Sequence, residues 1–306
     1  MQITNTNIDL YKTFVAVYET EKGVLAAERL GIVPTGVSSN LRSLETQLDA
    51  KLFNSFNKGF KPTRVAIAIY PYIKEALVAI HNGESILMNF TEIIEGHLHI
   101  GCHAYIANYV LLDYFTDFSE KHPGVTIKFT NKSKTSMDVM LECHDIDLII
   151  DVVAKCKSTG KLTTQSLGYI ENTFYTSTKY MENKNLSQTI NKTELFENPV
   201  LLYSKKHNTM VALQKALDIP LANRFEITTS ELMYGMVRKN YGIGYAITKF
   251  LDNCAYQKDI VRLTVKDTEL PRSNLAVITN RKDKNPITQK FVEGLIEYCH
   301  KHLKIS

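Results

Sequence analysis

The chain has 306 residues, 44% of them hydrophobic and 22% charged, and a formal net charge of +4, which allows more than one domain around ordinary cores and excludes little about partners. No stretch approaches the roughly 20 apolar residues needed to cross a bilayer, and Met1-Gln2-Ile3-Thr4 does not read as an export signal. Five cysteines, Cys102, Cys143, Cys156, Cys254 and Cys299, form no Cys-x-x-Cys pair, so a reducing compartment, expected to be the cytoplasm, is favoured over a disulfide framework.

Leu10, Phe14, Val17 and Tyr18 mark a first helix. A second runs from Leu25 to Gly31, and its small Ala26 and Ala27 let a neighbouring helix cross closely. In a third, Val37, Leu41, Leu44 and Leu48 follow the spacing of an amphipathic helix. Its opposite face carries Thr35, Ser39, Arg42, Ser43 and Thr46, short hydrogen-bonding groups and one guanidinium suited to base edges in a major groove. Taken alone, this stretch fits a pair of solvated helices equally well. Its neighbours argue for DNA, because Leu52-Phe53 leads into the basic, Gly- and Pro-punctuated hairpin Asn57-Lys58-Gly59-Phe60-Lys61-Pro62-Thr63. Three helices and a basic hairpin make a winged helix-turn-helix. Residues 1–66 hold eight cations and six anions, a net charge of only +2. One copy would meet few phosphates, so useful affinity needs two or more copies.

These residues resemble the LysR-type transcriptional regulators, and the resemblance runs through essentially the whole chain. It is carried by Phe14-Val15-Ala16-Val17, by Ala26 to Gly31, by Val37-Ser38 and Leu44-Glu45 in the recognition helix, by Lys58-Gly59 in the wing and by Pro71-Tyr72. The resemblance implies a DNA-binding set of Pro34, Thr35, Ser38, Ser39, Arg42, Ser43, Lys58 and Arg64 on double-stranded promoter DNA. Three departures fall on the DNA-facing parts. Val33-Pro34-Thr35-Gly36 stands where the family has Ser-Gln-Pro-Ala, leaving Thr35 as the expected cap; Ser55 replaces a common wing Arg; Lys22-Gly23-Val24 replaces the usual polar-aromatic start of the second helix. Base preference therefore does not carry over.

From Val65 to Phe90 apolar positions recur at helical spacing, over a length of roughly 45 Å at 1.5 Å per residue. Pro71 is expected to bend this helix or mark its start, and Gly83 to weaken it. Two helices packed in one core would read the same way; the resemblance implies a linker helix pairing across a two-fold axis in a homodimer or tetramer.

After Gly96 strands and helices alternate. Leu98 and Ile100 read as strand, Val110 to Phe118 as helix, Val125 to Phe129 as strand, Met137 to Leu141 as helix and Asp147 to Val153 as a nearly wholly apolar strand, giving a parallel sheet covered on both faces. Further strands are expected at Tyr169 to Thr176, Val200 to Tyr203, Phe225 to Thr228, Ile243 to Ala246, Ile260 to Leu263 and Leu275 to Ile278. Helices are expected at Met210 to Leu217, after a Ser230 cap, and from Asn285-Pro286 to Leu303. His122-Pro123-Gly124-Val125, Asp145-Ile146-Asp147-Leu148 and Gly242-Ile243-Gly244 match the family's two-lobed effector domain, of periplasmic-binding-protein architecture. The expected fold is thus α/β: a winged helix-turn-helix over 1–63, a linker helix over 64–93, and an effector domain over 94–306. Its lobe I takes 94–165 and 272–306 and its lobe II 166–271, with crossings near Thr163 to Ser166 and Thr268 to Ser273.

A ligand in this architecture sits between the lobes, at strand carboxyl ends and helix N-termini. The expected effector-binding residues are Cys102, His103, Ala104, Tyr105, Asn131, Ser204, Thr228, Thr229, Gly244 and Tyr245, and a carboxylate or other anion is the natural effector. His103 and Tyr105 also suit an aromatic or phosphorylated ligand, or partly fill the cleft. His97, His99, Cys102 and His103 lack a second pair at zinc spacing, so neither a metal nor another cofactor is expected. Nor is there a catalytic signature or phosphate loop, so the chain is read as no enzyme. RNA polymerase is a candidate further partner; a membrane is not. Two alternatives stay open: a cytoplasmic ligand-binding or scaffolding protein with a weakened DNA module, and a redox sensor, since peroxide-sensing members of the family use a Cys pair.

Overall fold

The computed structural model describes residues 7–56, 59–85, 95–203, 208–217, 226–227, 229–252, 259–283 and 285–303. The chain divides into two compact units, Met1–Phe90 and Thr91–Ser306.

The first unit holds α1 (Ile8–Thr20), α2 (Gly23–Leu30), α3 (Pro34–Leu48), β1 (Phe53–Phe56), β2 (Gly59–Pro62) and α4 (Arg64–Ser85). Asn7 opens α1 by accepting the Asp9 N–H. Gly31, at φ 64°, ends α2 in the left-handed conformation that glycine adopts without strain, and Ile32 N–H turns back to the Ala27 carbonyl at 3.0 Å. Phe14, Val17, Ala26, Val37, Leu44 and Leu52 are fully buried together, so the apolar stripes of all three helices converge on one core. α3 starts differently from expectation. Val33 occupies the N-cap without a side-chain bond, Pro34 takes the first helical position, and Thr35 therefore lies inside the helix and caps nothing. β1 and β2 pair antiparallel from Phe53↔Pro62 to Phe56↔Gly59, and Phe60 N–H donates to the Glu21 carbonyl at 2.8 Å, tying the hairpin to the end of α1. α4 continues through Pro71 rather than starting there. The part of the expected linker helix over 86–93 lies outside the described residues.

The second unit runs β3 (Gly96–Cys102), α5 (Ala104–Tyr109), α6 (Leu112–Lys121), β4 (Val125–Thr130), α7 (Lys134–Glu142), β5 (Leu148–Val153) and β6 (Leu162–Ile170). It then crosses to β7 (Asn172–Ser177), α8 (Thr178–Asn183), β8 (Thr189–Ile190), α9 (Lys192–Glu197), β9 (Val200–Tyr203), α10 (Asn208–Leu217) and β10 (Glu226–Ile227). α11 (Ser230–Arg238), β11 (Ile243–Ile247), α12 (Thr248–Asp252) and β12 (Ile260–Val265) complete that lobe, and β13 (Ser273–Asn280) and α13 (Pro286–His302) return to the first. The strands form a five-stranded sheet, β4-β3-β5-β13-β6, and a six-stranded sheet, β10-β9-β11-β7-β12-β8.

The three strands expected to lie parallel do so, and the strands added after them make both sheets mixed. β3 runs parallel to β4 and β5, but the returning β13 lies antiparallel to β5 and β6, and β7 lies antiparallel to β11 and β12. A strand that re-enters a sheet from the other lobe arrives reversed, and its mostly apolar sequence does not disclose this. The strand expected at Tyr169 to Thr176 is two strands in different sheets, broken at Glu171, so the first crossing follows Ile170 instead of falling near 163–166. The second lies between Val265 and Ser273. Asn172 joins the two crossings, donating through Nδ2 to the Pro271 carbonyl and to Ser273 Oγ, both at 2.9 Å. Thr229, not Ser230, caps α11: its hydroxyl accepts the Leu232 N–H at 3.2 Å. Asn285 and Pro286 open α13 as the sequence suggests. Among the described residues no helix is long and apolar enough to cross a membrane.

Candidate nucleic-acid interface and ligand cleft

In the first unit, burial of Val37, Leu41 and Leu44 turns Thr35, Ser38, Ser39, Arg42, Ser43, Thr46 and Gln47 outward, and with Pro34 they line one open groove. Sequence reasoning omitted Gln47, which lies four residues after Ser43 on the same face. Among the described residues no carboxylate pairs with Arg42, so its guanidinium keeps its bidentate donors for an external acceptor. Thr46 is partly committed, its hydroxyl donating to the Arg42 carbonyl at 2.8 Å. Arg64 is exposed at the first position of α4. Lys58 lies outside the described residues, as does the Ser55 side chain.

Three polar groups hold this surface and were not apparent beforehand. Glu45 Oε1 accepts the Leu52 and Phe53 N–H groups at 2.7 and 3.1 Å, fixing where the hairpin leaves the recognition helix. Asn40 Nδ2 donates to Thr13 Oγ1 at 3.0 Å, pinning α3 to α1. Glu19, at the end of α1, receives Arg29 from α2 and both Lys74 and the Tyr70 hydroxyl from α4, the last at 2.8 Å. Burial raises the Glu19 carboxyl, but Lys74, Tyr70 and Arg29 outweigh it and hold the group below the ordinary carboxylate range. The Tyr18 and Tyr70 rings stack at 3.9 Å beside this network.

In the second unit the carboxyl ends of β3, β4 and β5 bring together His103, Asn131 and Asp151. His103 Nδ1 lies 3.0 Å from Asn131 Oδ1 and its Nε2 lies 3.8 Å from Asp151 Oδ1. Asp151 is only 5% exposed, and burial raises its carboxyl while His103 and the Val152 N–H pull the other way. The sequence signal for this residue was its place as the one charge in the run Leu148 to Val153, read there merely as apolar strand. Tyr105 stacks with His103 at 6.0 Å, and burial followed by the proximity of Asp151, Tyr203 and Cys102 raises its phenol. Tyr203 belongs to the other lobe, where its hydroxyl lies 2.7 Å from Ser230 Oγ at the start of α11, and burial pushes it up to about 12. Tyr109 also reaches across, donating to Glu231 Oε1 at 3.2 Å. Asp151, Tyr203, Ser230 and Glu231 were thus missed from the sequence.

The remaining expected cleft residues scatter. Cys102 is buried with its thiol raised by burial, Ala104 is exposed, and Thr229 is occupied as a cap. Gly244 is packed so tightly that a Cβ would come within 2.6 Å of the Tyr175 ring. Tyr245 is sealed in the core of the second lobe against Phe174, because strand alternation sends it away from Gly244's face; it is not a cleft residue. Ser204 and Thr228 lie outside the described residues. His99 Nε2 pairs with Thr130 Oγ1 at 2.6 Å, and among the described residues no three His, Cys, Asp or Glu side chains converge as a metal site.

Residues 8–66 match the family described as bacterial regulatory helix-turn-helix protein, lysR family, and residues 92–300 match the LysR substrate binding domain. The Bacillus subtilis uncharacterized HTH-type transcriptional regulator YxjO is 27% identical over 137 residues, 45% of this chain and 47% of that protein, so the match spans about half the length of this relative. Among solved structures, a full-length OxyR variant from Pseudomonas aeruginosa superposes with a TM-score of 0.75 at 15% identity, covering 95% of this chain and 96% of that one. Full-length CbnR complexed with its target DNA gives a TM-score of 0.57 at 15% identity, covering 96% and 100%.

Proposed function

Because the chain belongs to the LysR family of bacterial regulators, we propose that it regulates transcription by binding promoter DNA through α3 and by answering a small molecule held between the lobes of its second unit. The observation that carries the DNA reading is the outward face of α3, where Arg42 has no carboxylate partner among the described residues and stands in a row of hydroxyls and Gln47. That set offers one guanidinium for a guanine edge or a phosphate and short donors for neighbouring bases. With a net charge of only +2 over residues 1–66, affinity has to come from two or more copies, so a homodimer or tetramer belongs to the proposal. CbnR, whose fold this chain shares, is bound to its target DNA in a solved complex. The function needs no catalytic group, and its place is the bacterial cytoplasm, where RNA polymerase is a candidate further partner.

The cleft reading rests on Tyr105, Asp151 and His103 facing Tyr203 and Ser230 across the lobes. A bound molecule that prefers one packing of these groups shifts the regulator's population toward it. The buried, raised Cys102 thiol gives no support to redox sensing, which needs an accessible thiolate.

The test is protection of the DNA upstream of the protein's own gene, at low and moderate salt. Two protected patches spaced by whole helical turns, weakened by salt and lost in Arg42→Ala, are expected. A folded protein that protects nothing at either salt would leave a ligand-binding protein with a decayed DNA module.

A further inference from the structure

We propose that the molecule bound in the interlobe cleft carries a protonated amine, with Asp151 as its counter-charge. The proposal rests on the reading of this cleft as the effector site and replaces the anion that helix N-termini alone suggest. At α7 and α11 one N–H is already capped, Ser133 Oγ accepting from Ser136 and Thr229 Oγ1 from Leu232, while α5, which His103 leaves without a side-chain cap, is a helix of six residues.

Among the described residues two carboxylates, Asp151 and Glu231, stand at the cleft, while Lys205, Lys206 and His207, which follow Tyr203, lie outside them. Asp151 is buried at the carboxyl end of β5, and among the described residues the donor within hydrogen-bond reach of its carboxylate is the Val152 N–H, 2.7 Å from Oδ1. A carboxylate accepts about four hydrogen bonds, so most of its capacity is open. His103 Nε2, at 3.8 Å, is too far for a hydrogen bond, and Nδ1 is engaged with Asn131. Lys134, the nearby lysine, is neutralised by Asp138, with Nζ 2.7 and 2.9 Å from its two oxygens. Across the lobes the ionisable side chain at the start of α11 is Glu231, again a carboxylate. An anionic group placed against Asp151 would meet a carboxylate buried to 5% exposure, which desolvation makes strongly unfavourable. An ammonium group gains charge-assisted hydrogen bonds to Asp151 beside Tyr105 and Tyr203, whose aromatic rings favour a neighbouring cation. The raised phenols of Tyr105 and Tyr203 stay neutral and add acceptor oxygens.

The experiment is thermal melting of the full chain with millimolar putrescine, cadaverine or L-lysine, set against 1,4-butanediol, succinate and benzoate. Wild type, Asp151→Asn and Asp151→Glu are compared, each first checked for a cooperative melt. At least one ammonium compound should raise the wild-type melting temperature saturably. Its apparent Kd should weaken roughly tenfold or more in Asp151→Asn and partly recover in Asp151→Glu. If succinate or benzoate stabilises both wild type and Asp151→Asn while the amines do nothing, the cleft is an effector site and the ammonium assignment is wrong. If none of these compounds moves the melt, the assignment falls together with the cleft reading.

Discussion

Replacing Glu19 by Gln strikes the point where three helices of the first unit meet. The substitution keeps the shape but removes the charge that Lys74, Arg29 and Tyr70 address. The Lys74 and Glu19 side chains are 11% and 16% exposed, so a nearly buried ammonium loses the carboxylate it meets at Glu19. Stranding one member of a fully buried pair costs about 3–5 kcal/mol; the remaining exposure argues for the lower end, about 2–3 kcal/mol. Arg29, whose side chain is 53% exposed, adds well under about 1 kcal/mol. Native-state hydrogen exchange on peptides covering 8–30 and 64–85 reads this directly in the full chain. A loss of about 3 kcal/mol appears as exchange accelerated about a hundredfold, since about 1.4 kcal/mol is tenfold. Adding Lys74→Met, which removes the ammonium that Glu19 neutralised, should restore more than half of the protection. Acceleration below about fivefold, or no rescue by Lys74→Met, would refute the account of Glu19 as the junction of α1, α2 and α4.

Acid should act on the two units in opposite senses. Glu19 has a depressed folded-state pKa, so its contribution is full above the unfolded carboxylate value and is lost as pH falls through the folded one; exchange in α1 and α4 should quicken there. Asp151 has a raised folded-state pKa, so β5 should gain stability as pH falls through that raised value, and Asp151→Asn should flatten the profile and stabilise the lobe at neutral pH. Glu45→Ala should cost about 2 kcal/mol, expose the Leu52 and Phe53 amides to exchange and weaken DNA protection by misplacing the hairpin. Gly242→Ala should be the harshest of these changes, at about 3 kcal/mol or more: φ is +152° and the new Cβ would run into the Pro199 carbonyl oxygen. A Gly242→Ala protein melting within about 2 °C of wild type would contradict that geometry.

What was legible in the sequence is what depends on local period. The spacing of Val37, Leu41 and Leu44 sets which face of α3 is buried, and the outward residues follow by geometry. Caps were legible to within one residue: Thr229 and Ser230 both qualify chemically, and the backbone chooses the first. What was not legible depends on partners far along the chain. Glu19 looks like a solvated helix-end residue until Tyr70 and Lys74 arrive some fifty positions later. Tyr245 looked like a cleft residue because it was placed with Gly244 at a strand's carboxyl end, yet the small Gly244 admits the Tyr175 ring and Tyr245 faces the opposite core. Asp151 was visible as a lone charge in an apolar strand, but its neighbours come from β3 and β4 through nonlocal pairing.

One hydrophobic core runs through both lobes of the second unit, from Leu98 and Phe291 on one side to Tyr175, Met233 and Phe250 on the other, and Tyr109 meets Phe250 edge-on at 4.7 Å within it. Such a joint resists opening, because separating the lobes would wet apolar surface on both at about 25 cal/mol per Å². The module therefore works less like a jaw than like a gearbox packed in solid: a ligand between the lobes can turn side chains against one another, but each small rotation has to be taken up by neighbours already at crystal-like density. On the proposed function, that ligand's message would leave as a repacking of the shared core, and substitutions deep in that core, far from any ligand, should change how loudly the message is heard.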